Sequence, residues 1–234
     1  MNTSINISLN NGDKVYVRGM LSADKNSNNC TQFTMTGKIA ASGNCNALWS
    51  YQDLNAPLKT YCGFNLFSNC TSLTTAPELP ATTLANDCYH SMFYGCTSLV
   101  TAPELPATTL ANGCYWSMFE RCTSLTVAPE ILPATTLSER CYIQMFQYCT
   151  SLVTAPELPA TTLAERCYRN MFRYCTKLNY IKCLATNISD SHCTDDWVKG
   201  VSSNGAFVKH PNMTSWSTGS SGIPSGWTVE NADI

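Results

Sequence analysis

The sequence predicts an α/β solenoid: a right-handed stack of about five 26-residue strand-turn-helix coils between a β-rich N-terminal cap and an irregular C-terminal cap. Three observations carry this prediction. The phrase CTSLVTAPELPATTL beginning at Cys96 recurs, nearly letter for letter, from Cys70, Cys122 and Cys149. Two cysteine series, Cys62/Cys88/Cys114/Cys141/Cys167 and Cys70/Cys96/Cys122/Cys149/Cys175, advance by 26 residues, the single 27-residue step being accounted for by the inserted Ile131. A fixed period in the range of about 20–29 residues marks units that cannot bury an apolar face alone and must stack.

Within one unit, Leu84, Cys88 and Met92 fall at i, i+4 and i+8, with Phe93 beside them, which predicts a short helix capped by Thr83. Thr136 with Glu139 and Thr162 with Glu165 fit a capping box in later units. Cys96, Leu99 and Ala102 then read as the inward side of an extended segment of about three to five residues, which Pro103 ends because a proline cannot donate to a ladder. The chain divides as 1–56, an N-terminal β cap containing INISL, KVYVRGM and QFTMTGKIA; 57–185, the repeats; and 186–234, a C-terminal cap. In that last part TDDWVKGV predicts a helical turn capped by Thr194 or Asp195 and anchored by Trp197, and the tryptophans of SWSTGSSGIPSGW predict a packed flap.

The words MFYGCTSL (Met92–Leu99) and MFERCTSL (Met118–Leu125) resemble the Bacteroides surface protein A-like leucine-rich repeats, rich in phrases of the type F-x-x-C-T-S-L. The likeness spans about residues 57–185, and the ending GIPSGWTVENA is similar to tails of such proteins from gut Bacteroidales and their phages. The resemblance implies a curved leucine-rich-repeat-like solenoid that works in adhesion or recognition at a surface, without enzymatic activity.

Composition narrows the functional classes. Charged residues make up 13% of the chain and the formal net charge is -2, so no basic footprint for nucleic acid is present. The first residues, MNTSINISLNNGDK, lack the basic and apolar regions of a signal peptide, and no apolar run has membrane-spanning length. The expected location is the cell surface or extracellular space if a targeting segment lies outside this chain, and otherwise a virion.

Equivalent cysteines in stacked units point the same way about 4.8 Å apart, whereas a disulfide needs converging Cβ atoms about 3.8 Å apart. Thiol columns packed in the core are the leading expectation, with disulfides involving Cys30, Cys45, Cys183 or Cys193 as the alternative. His192 beside Cys193, with His210 nearby, lacks a supporting carboxylate constellation. The column Glu78, Glu104, Glu130 and Glu157 supplies single carboxylates rather than a calcium shell. No catalytic residue, metal ligand or cofactor is predicted.

Comparison of the copies with one another separates fixed from variable positions. The columns Leu84/Leu110/Leu137/Leu163, Tyr89/Tyr115/Tyr142/Tyr168, Met92/Met118/Met145/Met171 and Phe93/Phe119/Phe146/Phe172 do not vary. Variation gathers in His90/Trp116/Ile143/Arg169, in Tyr94/Glu120/Gln147/Arg173 and in Gly95/Arg121/Tyr148/Tyr174, expected on a solvent-facing, convex helical side. Exposed aromatics with arginine are typical interface anchors. His90, Tyr94, Trp116, Glu120, Arg121, Ile143, Gln147, Tyr148, Arg169, Arg173 and Tyr174 therefore form the candidate partner-binding surface. The expected function is recognition of a protein or glycan at a cell surface or on a phage particle, as a monomer or particle-bound oligomer. The alternative is a structural spacer or virion component with no glycan or small-molecule ligand.

Overall fold

In the computed structural model, which describes residues 7–8, 10, 12–17, 31–50, 52–214 and 216–234, the chain is mostly non-helical and carries two small parallel sheets. Strands β1 (Ile39–Ala40) and β2 (Leu73–Thr75) form one; β3 (Tyr180–Cys183), β4 (Ala206–Lys209) and β5 (Thr228–Asn231) form the other in that order. One 3-10 turn spans Cys45–Leu48. Among the described residues there is no α-helix.

The helix expected after each ATTL is replaced by a ribbon of hydrogen-bonded turns. Cys88, His90, Met92, Tyr94 and Cys96 each donate their N-H to the carbonyl three residues back. The residues between them donate to the next copy instead: Asp87 to Asn112, Tyr89 to Cys114, Ser91 to Trp116, Phe93 to Met118 and Gly95 to Glu120, at 2.8–3.0 Å. An α-helix would spend every N-H on its own fourth-previous carbonyl and leave none to join the copies. The apolar positions Cys88, Met92 and Cys96 recur every four residues, and over so short a run that spacing is also compatible with a 3.6-residue period.

Left-handed backbone makes the ribbon possible. Asp87, Ser91 and Gly95 have φ of 50°, 53° and 68°, and the same three rows continue through Gly113/Ser117/Arg121, Arg140/Gln144/Tyr148 and Arg166/Asn170/Tyr174. Asn, Asp and Gly tolerate this region, while other L-residues pay about 1–2 kcal/mol in it. At Gly95 a Cβ would come within 2.6 Å of the Asn69 Oδ1 of the preceding copy, a side-chain end that can give way, and the same row is filled by Arg121, Tyr148 and Tyr174 in later copies.

The capping-box pairs find no helix to cap. Thr136 and Thr83 instead make parallel bridges to Thr162 and Thr109, and Glu139 and Glu165 pair with arginines. Between β2 and β3, both within the expected length, the extended segments are shorter than expected and shrink to single bridges, Thr101 to Val127 and Thr154 to Tyr180. The inserted Ile131 is absorbed by bridging Glu157.

The fixed columns form the core. Phe67, Phe93, Phe119, Phe146 and Phe172 stack with centroids 5.5–5.7 Å apart, and Tyr89, Tyr115, Tyr142 and Tyr168 run beside them at 5.7–6.0 Å. All nine rings are buried. All thirteen described cysteines are reduced thiols, Cys45, Cys183 and Cys193 among them; Cys30 lies outside the described residues. In the second cysteine series the thiols have a defined task. Cys96, Cys122 and Cys149 each donate Sγ-H to the carbonyl of Phe67, Phe93 and Phe119 in the preceding copy at 3.1 Å, and Cys175 donates to Phe146 at 2.9 Å. Burial pushes the Cys96 thiol up to about 12, so the proton needed for this bond stays in place.

The termini depart from the expected caps. INISL and KVYVRGM lie partly outside the described residues, Lys14–Val17 form no strand, and QFTMTGKIA yields only β1. At the other end TDDWVKGV is a further turn ribbon rather than a helix: His192, Asp196 and Gly200 have positive φ, and Tyr168, Asn170 and Phe172 donate to Cys193, Asp195 and Trp197. Trp197 is fully buried and stacks on Trp216 at 5.6 Å, and Trp227 is buried as well. From β3 to β4 the register step is again 26 residues, although the repeated words have gone.

Ser91 gives a test whose sign depends on backbone conformation. Ser91→Gly should leave stability unchanged or raise it by up to about 1 kcal/mol, because glycine enters the left-handed region freely. Ser91→Val should cost about 1–3 kcal/mol, a β-branched residue being strained there. Thermal unfolding of the two variants checks this; a helix would instead lose about 0.5 kcal/mol on Ser91→Gly.

Candidate recognition surface

In each turn the first and last residues enter the core, as Tyr89 and Met92 do, and the two middle residues carry what exposure the ribbon has. Successive copies lie about one ladder spacing apart, roughly 4.8 Å. Every outward side chain is therefore flanked by its equivalents, and pointing outward is not the same as being exposed.

That geometry sorts the predicted surface residues. Arg121 and Arg169 are exposed, while His90, Tyr94, Trp116, Tyr148, Arg173 and Tyr174 are partly buried. Glu120, Ile143 and Gln147, expected to face solvent, are buried at 9%, 5% and 6% exposure. Ile143 occupies the middle of its row, between Trp116 and Arg169, and the neighbours in the stack shield it.

Two aromatic runs organise the ridge. In one, Phe64 meets the His90 ring edge-on at 4.7 Å and His90 stacks on Trp116 at 4.7 Å. Burial lowers the His90 pKa, with Asp87, 3.4 Å from Nδ1, pulling the other way. In the other run the Arg121 guanidinium lies 4.7 Å over the Tyr148 ring, Tyr148 stacks on Tyr174 at 5.1 Å, and Arg173 lies 5.0 Å from the Tyr174 centroid. Cation-π contacts of this kind hold long side chains in place while leaving their nitrogens able to bond.

Between the runs lies a polar cluster. Trp116 Nε1 donates to Gln144 Oε1 at 2.9 Å, and Ser117 Oγ donates to Glu120 Oε2 at 2.7 Å and approaches Gln144 Oε1 at 3.5 Å. Beside it is an open depression of about 550 Å³, lined by Trp116, Ile143 and Arg169 from the predicted set and by Arg140, Gln144, Arg166 and Asn170, which that set omitted. The omitted four occupy the left-handed rows 87/113/140/166 and 91/117/144/170, which also vary between copies. Asp87, Gly113 and Asn170 in those rows are the sequence signal that would have identified them as outward turn positions.

The depression presents guanidinium groups, amides and an indole, chemistry suited to holding a ligand. His192 and Asp195 pair at 2.6 Å with both side chains exposed, and His210 Nδ1 accepts from the Asn212 N-H. Of the glutamate column, Glu157 pairs with Lys182 at 3.1 Å, and Glu78, Glu104 and Glu130 are exposed. No helix among the described residues is long and apolar enough to cross a membrane.

Glu120 supplies a pH test of this arrangement. Burial raises its carboxyl pKa, and the Ser117 hydrogen bond and the Arg121 charge only partly oppose that. The folded protein thus holds this proton more tightly than the unfolded chain, and stability falls as pH rises from the ordinary carboxylate value toward the raised one. Glu120→Gln should melt at a higher temperature than the parent at neutral pH and lose that advantage below about pH 4. An equal difference at both pH values would contradict the buried, charged state of Glu120.

Comparison with known proteins returns no match: neither a family model, nor a curated protein, nor a solved structure is similar to this chain.

Proposed function

We propose that the chain is a non-catalytic recognition module, a solenoid of about five repeat coils that binds a protein or glycan through its variable ridge while displayed on a bacterial surface or a phage particle. The observation that carries this reading is the division of labour between columns. Core rings and thiols are the same in every copy, whereas the outward rows change from copy to copy and gather aromatics, arginines and an open depression in the later ones. Drift alone would leave small polar residues in such rows as readily as Trp116, Tyr148, Arg169 and Tyr174. The likeness of MFYGCTSL and MFERCTSL to the Bacteroides surface protein A-like repeats supports the same role.

The backbone suits it as well. A ridge held by hydrogen bonds between copies keeps its side chains at fixed spacings before any partner arrives, which lowers the ordering cost of binding. A solenoid extends that ridge in one direction without disturbing the core beneath.

Arrays of glycans and of surface proteins, probed with the full chain, test the proposal. The expected result is binding to one class of target, weakened at least about tenfold, roughly 1.4 kcal/mol, when Arg121→Ala and Arg169→Ala are combined. Both side chains are exposed and the lost Arg121–Tyr148 contact is worth about 0.5–1 kcal/mol, so the thermal midpoint should fall by only a few degrees. Binding untouched by the double substitution would move recognition off this ridge. No binding to any target, together with self-assembly into particles in light scattering, would favour a structural spacer instead.

A further inference from the structure

The depression on the ridge has an apolar part, Ile143 and the Trp116 indole, and a polar part whose uncommitted side-chain groups are hydrogen-bond donors. Gln144 has its oxygen committed, accepting from Trp116 Nε1 at 2.9 Å and facing Ser117 Oγ at 3.5 Å. Asn170 likewise has Oδ1 engaged by Arg173 Nη1 at 3.4 Å. Each amide is thereby oriented, and its NH2 is the end left for the cavity. The remaining polar lining is the guanidinium groups of Arg140, Arg166 and Arg169, which have no acceptor capacity at all.

Charge is partly compensated at the rim. Arg140 pairs with Glu139 at 3.1 Å, and Arg166 pairs with Glu165 at 2.7 Å and with Glu139 at 3.9 Å. Arg169 is exposed, and among the described residues no carboxylate lies within ion-pair distance of it. This donor set belongs to one part of the ridge: the equivalents of Arg140 and Arg166 in earlier copies are Asp87 and Gly113, and those of Arg169 are His90, Trp116 and Ile143.

We infer that the depression binds an acidic saccharide, a uronic-acid unit whose carboxylate is received by Arg169 and whose ring oxygens accept from the Gln144 and Asn170 amides. The inference rests on the recognition reading above and names its ligand class. Uncommitted donors beside an indole select for acceptors carried on a ring, and a guanidinium without an internal partner selects for an anion with two oxygens in one plane. An acidic peptide fits less well. It would seek an apolar hole for a side-chain anchor, but Ile143 is 5% exposed and Trp116 has one face against His90. Consecutive peptide carboxylates would also meet Glu139 and Glu165 at the rim, whereas a uronan carries one carboxylate per ring with hydroxyl oxygens beside it.

The experiment is a calorimetric titration of the full chain with polygalacturonate, alginate and hyaluronate, against methyl-esterified polygalacturonate and poly-L-glutamate, repeated with Arg169→Gln and with the distant surface change Lys177→Gln. The expected result is binding of at least one uronan, strong discrimination against the methyl ester, and an affinity about tenfold or more lower for Arg169→Gln, in keeping with loss of a charge-assisted hydrogen bond. Lys177→Gln should bind as the parent does, and both variants should melt as the parent does. Equal binding of the ester and the free acid, or of uronan by Arg169→Gln and parent, would overturn the inference while leaving glycan recognition standing. Equal or tighter binding of poly-L-glutamate would overturn the saccharide assignment. Failure to bind any of the three uronans would overturn it too, and a protein target on the array would then separate that failure from failure of the recognition reading.

Discussion

Everything in the repeated part depends on one hydrogen-bonding rule: along each turn ribbon, N-H groups alternate between a carbonyl three residues back and a carbonyl of the next copy. The first bond closes the turn, and the second joins the copies. A buried backbone donor without a partner is costly, so the rule leaves the chain little freedom in where one copy sits on the next. It also fixes the left-handed residue at every fourth position. Arg121, Tyr148 and Tyr174 accept that strain because the bonds on either side define their backbone.

The invariant side chains follow from the same rule. With the copies held in register, identical rings fall face to face with a lateral offset, the arrangement aromatic pairs prefer. The Phe93 carbonyl accepts from Cys96 N-H in its own copy and from Cys122 Sγ-H in the next, both at 3.1 Å, which uses both lone pairs. Cysteine suits that position because it is small and apolar, keeps its proton when buried and can still donate. Serine would carry a stronger donor on a smaller, more strongly hydrated group, and alanine would donate nothing.

Much of this was legible in the letters, and the reason is periodicity. A 26-residue step identifies equivalent residues whatever backbone connects them, so the stacked Phe, Tyr and Met columns, the reduced thiols and the packed Trp197, Trp216 and Trp227 could be anticipated. The backbone between them could not be read so directly. Cys88, Met92 and Cys96 satisfy a helical stripe and a four-residue turn equally well, and the deciding signal is the Asn, Asp and Gly in the left-handed rows, such as Asp87, Gly95 and Gly113. The same misreading placed Glu120, Ile143 and Gln147 in solvent, because a helix surface would have spread them apart where the stack closes its neighbours over them. Of the depression, the sequence comparison found Trp116, Ile143 and Arg169 through their variability and passed over Arg140, Gln144, Arg166 and Asn170, one row away.

A ridge built this way separates the stability of the stack from the choice of outward side chains. Core columns and backbone bonds hold the stack, so residues in the outer rows can change singly, and long side chains such as Arg121 rest on rings of the following copy. The most direct test of the alternating rule is a through-hydrogen-bond NMR coupling at one amide, that of Ser117. A coupling from the Ser117 nitrogen to the carbonyl carbon of Ile143, 26 residues on, is the result the structure requires. A coupling to the carbonyl of Gly113, four residues back, would mean that the segment is an α-helix after all.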